Sequence, residues 1–207
     1  MFRRSPTAET LAAFAVVYLL QSALRLVAPA LSLFLFVLAP PIDVRPWAIV
    51  TSVYAHGGLA HLLANAVALA LVGFPLERTT SRFRFHVFFV TTGALAGLTQ
   101  VMLDATLSSI GFGRPSAVLG ASGAVFALLG YVLSANRISD RLLRFVPLSG
   151  LGQVLAFAVI AAVLTLATGA PGVALVAHFT GFLLGLIAGR AHLLRTETQA
   201  TKTTPGN

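Results

Sequence analysis

The sequence predicts an all-α membrane protein, and three observations lead to that fold class. Of the 207 residues, 57% are hydrophobic and only 10% are charged. The mean hydropathy of +0.90 exceeds what a soluble domain of this size needs to build a core. The net charge of +8 comes from short basic clusters between apolar runs, so we expect contact with a lipid bilayer and no nucleic-acid partner.

Six apolar runs have the length of membrane-spanning helices, since about 20 apolar residues cross the hydrocarbon core of a bilayer. The runs lie near 8–27, 57–75, 85–105, 118–135, 149–168 and 173–189. We expect one six-span domain over residues 1–195. The polar segment 196–207 is typical of a disordered tail.

The distribution of basic residues predicts how the chain is oriented in the cell membrane. Six spans place both termini on one side of the membrane. That side would carry most of the basic residues, namely Arg3, Arg4, Arg78, Arg82, Arg84, Arg137, Arg141, Arg144, Arg190, Arg195 and Lys202. The opposite side would hold only Arg45 and Arg114, with Arg25 near the exit of the first span. The positive-inside rule therefore predicts that both termini are cytoplasmic.

The region 29–46 allows two interpretations. Its apolar run Leu31–Leu38 lies between prolines and is too short to cross a membrane alone. It could continue a long kinked helix over 11–38, or the first span could end near Val27 and an interfacial segment follow. We favour the second, because it lets Arg25 reach the outer interface instead of mid-bilayer, where a charge costs roughly 3 kcal/mol.

Four of the polar side chains within the predicted spans stand out, because such groups are costly there and indicate function by default. Ser122 lies in a small-residue turn, Gly120-Ala121-Ser122-Gly123. His61 and Asn65 are four residues apart, so they project from one helix face. Such a pair could equally form an interhelical hydrogen bond, and the lone His178 could be structural.

The predicted topology brings these side chains to one depth. Ser122, His61 and His178 lie near the outer ends of the even-numbered spans, with Ser122 about one turn into the membrane. Packing alone does not predict this coincidence. A hydroxyl, an imidazole and further hydrogen-bond donors are the components of a serine hydrolase. Gly120 and Gly123 would leave room for a substrate backbone.

The acidic residues do not supply a third member of a catalytic triad. Only Asp43 and Asp104 are expected on the outer side, and neither falls within the core of a span. The sequence therefore predicts a Ser-His dyad. His178 would accept the proton of Ser122 as the hydroxyl attacks a carbonyl, and would then return that proton to the leaving amine.

Taken together, these motifs resemble the rhomboid family of intramembrane serine proteases over Trp47–Gly189. The resemblance is carried by the segment His56–Asn65, by Gly120–Gly123, and by Ala177-His178 with Gly181. The order of these motifs, and their places in the second, fourth and sixth spans, make the resemblance specific. It implies a six-transmembrane-helix bundle with a partly embedded first outer loop.

The resemblance also implies a role for each site residue. Ser122 would be the nucleophile and His178 the general base. His61, Asn65 and the Ser122 backbone amide would donate to the oxyanion, and His56 would support the site. The implied substrates are transmembrane proteins, with no cofactor and no metal. Zinc binding by the three histidines is a disfavoured alternative, and the oligomeric state stays open.

Two positions depart from the family pattern. Ala48 follows Trp47, where the family often has an arginine, so the first outer loop must be anchored differently. Phe126 stands where the family commonly has a tyrosine; it can stack on His178 but offers no hydroxyl. Gly73 and Glu77 match a further family motif that we interpret as structural.

Two other classes of function compete with a protease. One is an inactive protein of the same fold that binds or escorts other membrane helices; the presence of both Ser122 and His178 argues against it. The other is a transporter or channel, which would need a continuous polar pathway. Spans three and five offer almost no polar lining beyond Gln100. The chain has no cysteine, which excludes thiolate catalysis.

Overall fold

The computed structural model describes residues 5–136, 149–167 and 174–196, and within these ranges all regular elements are helices. The all-α class is therefore confirmed. The α-helices are α1 (Pro6–Val27), α2 (Pro29–Phe36), α3 (Ala48–Tyr54), α4 (Leu59–Leu76), α5 (Arg82–Ser109), α6 (Ser122–Ser134), α7 (Gly150–Ala167) and α8 (Leu175–Arg190). A short 3-10 helix, Ile42–Val44, precedes α3. The predicted tail beyond Thr196 lies outside the described residues.

Six of these helices coincide with the six predicted spans. Helices α1, α4, α5 and α7 are long and apolar enough to cross a membrane. Helices α6 and α8 are apolar but shorter, with 13 and 16 residues. Large apolar side chains such as Leu26, Leu71 and Leu166 are exposed on the helix surfaces, which suits contact with lipid. That all six helices cross the bilayer stays a prediction.

Helix α1 ends at Val27, where the second interpretation placed the end of the first span. Ala28 has a non-helical backbone, and Pro29 begins α2 at a position where its missing N–H costs nothing. The indole of Trp47 donates a hydrogen bond to the carbonyl of Phe34 at 3.2 Å, and the two rings meet edge to face. This contact anchors the loop where the family's arginine is missing. Whether the loop is embedded in the membrane stays a prediction.

The start of α1 and the end of α4 are joined through Glu77. Its Oε2 accepts hydrogen bonds from the Ser5 hydroxyl at 2.7 Å and from the Thr7 amide at 3.1 Å. One turn earlier, the absence of a side chain at Gly73 makes room for Thr7, since a Cβ there would lie 2.8 Å from that side chain. The structural interpretation of Gly73 and Glu77 is confirmed.

The fourth span begins later than predicted. Residues 118–121 are not helical, because Val118 forms an antiparallel bridge with Leu38 and the Gly120 amide donates to the Ser52 carbonyl at 2.9 Å. Gly120 also has a φ of +135°, which glycine adopts without strain. Ser122 is therefore the first residue of α6, and its depth in the membrane stays a prediction.

Helices α6 and α8 are in direct backbone contact. A Cβ added at Gly181 would collide with the carbonyl oxygen of Gly123, and one added at Gly185 with that of Ala127. A Cβ at Gly130 would meet the α8 backbone in the same way. The contacts advance four residues at a time on both helices, so the helices run parallel. Gly181 and Gly185 thus allow the close packing of the two helices.

Candidate active site

The first turns of helices α4, α6 and α8 meet at one cavity. Ser122 is the first residue of α6, His61 the third of α4 and His178 the fourth of α8. Together with Asn65 they line a cavity of about 570 Å³. The four polar residues singled out from the sequence are thus brought together, and none of the described residues that line this cavity is acidic.

The start of α6 determines the surroundings of Ser122. The first amides of a helix have no partner within the helix, and the helix dipole gives this end a partial positive charge. Ser122 therefore presents both its hydroxyl and a positively polarised amide near the cavity. The hydrogen bond from the Gly120 amide to Ser52 fixes the turn that precedes them.

The imidazole of His61 faces that same turn. Its Nδ1 accepts a hydrogen bond from the Gly57 amide at 3.4 Å, which in the neutral ring assigns the proton to Nε2. Nε2 lies against Gly120, where an added Cβ would be only 2.9 Å away. The ring can therefore donate a hydrogen bond from Nε2 beside the turn that carries Ser122.

Asn65 lies one helical turn after His61. Its Nδ2 donates to the His61 carbonyl at 3.0 Å, and the side chain is only 5% exposed. A carboxamide nitrogen carries two hydrogens. One hydrogen of Asn65 therefore remains for a group that enters the cavity.

The imidazole of His178 stacks on Phe126, with ring centroids 4.3 Å apart and an interplanar angle of 20°. This confirms the predicted contact. Its Nδ1 is buried without a hydrogen-bond partner among the described residues. Ser122 and His178 line the same cavity, but no hydrogen bond joins them in the part of the chain that the structure describes. An imidazole beside a hydroxyl can accept its proton.

His56 lies behind the cavity rather than in its wall. The residue is fully buried, its Nδ1 is 3.1 Å from the Tyr54 carbonyl, and its amide donates to Gln21 Oε1 at 2.9 Å. Its ring packs edge to face against that of His61, with centroids 5.2 Å apart. Within the described ranges, no three His, Asp or Glu side chains are arranged to hold a metal ion.

Two polar residues of α1 bind the backbone of His56 and Gly57, and the sequence did not predict this role. Besides the contact of Gln21 with His56, the guanidinium of Arg25 donates to the carbonyls of His56 at 2.8 Å and Gly57 at 3.3 Å. We expected Arg25 only to reach the outer interface. The sequence feature that could have predicted this role is the presence of these two polar side chains on an otherwise apolar span.

The two glycines that flank Ser122 do not have the predicted role. A Cβ at Gly120 would meet the His61 ring, and one at Gly123 would lie 2.6 Å from Ala96 on α5. Their missing side chains make room for a ring and for a neighbouring helix. The expectation that they leave room for a substrate backbone is therefore corrected.

Comparison with known proteins identifies clear relatives. A family model described as Rhomboid domain matches residues 43–195. The chain is 30% identical over 152 residues to RHOMBOID-like protein 5 of Arabidopsis thaliana, covering 73% of this chain and 45% of the relative. Rhomboid protease GluP of Bacillus subtilis is 34% identical over 94 residues, covering 44% of this chain and 17% of the relative.

An inactive relative is also similar. Inactive RHOMBOID-like protein 8 of Arabidopsis thaliana is 33% identical over 89 residues, covering 43% of this chain and 23% of the relative. The chain spans less than half the length of these curated relatives.

Replacing Gly120 by alanine should destabilise the protein by about 1–3 kcal/mol, because the new methyl group would overlap the His61 ring. The matched control is Gly111→Ala, where φ is also positive, at +88°, but no atom lies within 4 Å of the added Cβ. Denaturant unfolding in detergent micelles measures both variants. Equal losses of stability would contradict the contact with His61.

Proposed function

This chain belongs to the rhomboid family, and we propose that it is an intramembrane serine protease. It would hydrolyse peptide bonds in or near the transmembrane segments of membrane-protein substrates. The observation that carries the proposal is the cavity where Ser122, at the N-terminus of α6, and His178 lie together with two hydrogen-bond donors, His61 and Asn65. The similarity to a relative named rhomboid protease supports the reaction class.

In the proposed mechanism Ser122 Oγ attacks the substrate carbonyl and His178 accepts the hydroxyl proton. Nε2 would be the accepting nitrogen, because Nδ1 is buried. The imidazolium then gives the proton to the leaving amine, and water hydrolyses the acyl-enzyme with His178 again as base. Among the described residues no acidic side chain lines the cavity, so the stack with Phe126 would orient the ring. A hydrogen bond between a nucleophile and its base, as proposed for Ser122 and His178, commonly tightens only when substrate binds.

The oxyanion would form between three donors. The Ser122 amide contributes the positive end of the α6 dipole, and His61 and Asn65 contribute the Nε2 proton and the free amide proton identified above. Donors of this kind are each worth about 10²–10³ in kcat. His56 would support the site by packing against His61.

The second candidate function is a protein without protease activity that binds or escorts membrane helices. The similarity to a relative named inactive favours it. The retention of both a hydroxyl nucleophile and an imidazole in one cavity favours the protease. The two candidates differ in whether a bound substrate helix is cut.

Alanine at Ser122 or His178 should each reduce the cleavage rate of a single-span reporter at least about 10³-fold, because either change removes proton transfer from the nucleophile. The reporter, in liposomes, should carry small residues near its outer interface. Ser149→Ala, in an exposed segment before α7, is the control and should retain activity. Equal cleavage by wild type and Ser122→Ala would show that Ser122 is not the nucleophile. Binding of the reporter without cleavage would favour the second candidate function.

We also propose that the protein lies in the cell membrane with both termini in the cytoplasm, which the uneven distribution of arginines supports. The absence of cysteine allows single reporters to be introduced. Phe112→Cys, after α5, should react with a membrane-impermeant thiol reagent in intact cells. Ser149→Cys should react only after permeabilisation. The reverse pattern would refute the proposed orientation.

A further inference from the structure

We propose that Gln100, itself oriented by Asp104, is a positioning residue for His178. It holds the N-terminus of the helix that carries this histidine. The inference rests on the proposed function for its catalytic consequence, while its structural part can be measured separately. In the sequence, Gln100 is an isolated polar residue on an apolar span.

Helix α8 receives its N-terminal cap from another helix. Ala174 precedes α8 and supplies no side-chain hydrogen bond. Gln100 on α5 does so instead: its Oε1 accepts from the amides of Val176 at 3.0 Å and Ala177 at 3.2 Å. The side chain is only 8% exposed. One oxygen therefore satisfies two amides that the helix itself cannot pair.

Asp104 fixes which end of the Gln100 carboxamide faces α8. It lies one turn later on α5, and its Oδ2 accepts a hydrogen bond from Gln100 Nε2 at 2.7 Å. With the nitrogen engaged in this way, the oxygen must point to α8. A flipped amide would place N–H groups against the α8 amides and lose all three hydrogen bonds. The carboxylate also places a negative charge near the positive end of α8.

The cap acts directly on the site because His178 follows Ala177 in the chain. The glycine contacts determine how closely α8 approaches α6, but a row of flat backbone surfaces offers little resistance to sliding or rotation. Gln100 ties the first turn of α8 to a third helix, and so limits both movements. A displacement of about 1 Å in a reacting group can lower a rate about 10²-fold. Gln100 is not among the residues that line the active-site cavity, so it works through α8.

The test compares kcat and KM for reporter cleavage in Gln100→Leu with those of the wild type. Leucine keeps the volume but removes the cap, so kcat should fall roughly 10–100-fold while KM changes by less than about threefold. The matched control is Thr99→Val on the same helix, because within the described residues the Thr99 hydroxyl donates only to the Leu95 carbonyl of its own helix. This control should leave both constants unchanged.

Rescue by an exchanged pair separates positioning from general destabilisation. In Gln100→Glu with Asp104→Asn, the carboxylate accepts from the α8 amides and the new carboxamide donates to that carboxylate. The arrangement of hydrogen bonds and the total charge are both retained, so kcat should recover to within about threefold of the wild type. If the kcat of the exchanged pair is no higher than that of Gln100→Leu, the inference is overturned.

Hydrogen exchange gives a readout that does not depend on protease activity. In the full-length Gln100→Leu protein the amides of Val176 and Ala177 should exchange faster, and in Thr99→Val they should not. Unchanged exchange, or a lower melting temperature with unchanged kcat below it, would overturn the role of Gln100. A wild type that does not cleave the reporter at all would instead refute the proposed function and leave the exchange result standing.

Discussion

The backbone contact between α6 and α8 is the constraint on which the rest of the structure depends. Gly181 and Gly185 let the two helices touch without intervening side chains, in a parallel arrangement that brings both first turns to one end. Because water drives no association inside a bilayer, such close packing is a main source of helix affinity there. Ser122 and His178 lie in those first turns, so the packing of the fold also brings the proposed nucleophile and the proposed base together.

Around this pair, polar groups form hydrogen bonds with one another at the end of the helices that holds the cavity. Gln21 and Arg25 on α1 bind the segment that leads into α4, and Gln100 on α5 binds the start of α8. Each contact joins a side chain to a backbone group at or near a helix terminus, where the helix leaves its own amides or carbonyls unpaired. The site is thus held by hydrogen bonds between helices, while its cavity keeps the donors of His61 and Asn65 available.

The sequence predicted those features that depend on local composition. Apolar length located all six helices, and the spacing of His61 and Asn65 placed them on one face. The start of α6 was predicted too early because it depends on hydrogen bonds to distant segments, such as that from Gly120 to Ser52. Gln100 could be recognised as unusual, but its partners are backbone amides, which leave no signature in a sequence.

We propose that the backbone contact between α6 and α8 sets the reactivity of Ser122. It is tested most directly by the rate at which a fluorophosphonate labels Ser122, located by mass spectrometry, in Gly185→Ala and Gly150→Ala. The added methyl group at Gly185 would collide with the α6 backbone, whereas at Gly150 it meets no atom within 4 Å. With helix content retained, we predict labelling about tenfold slower or worse in Gly185→Ala alone. Equal labelling rates in both variants and the wild type would contradict the account.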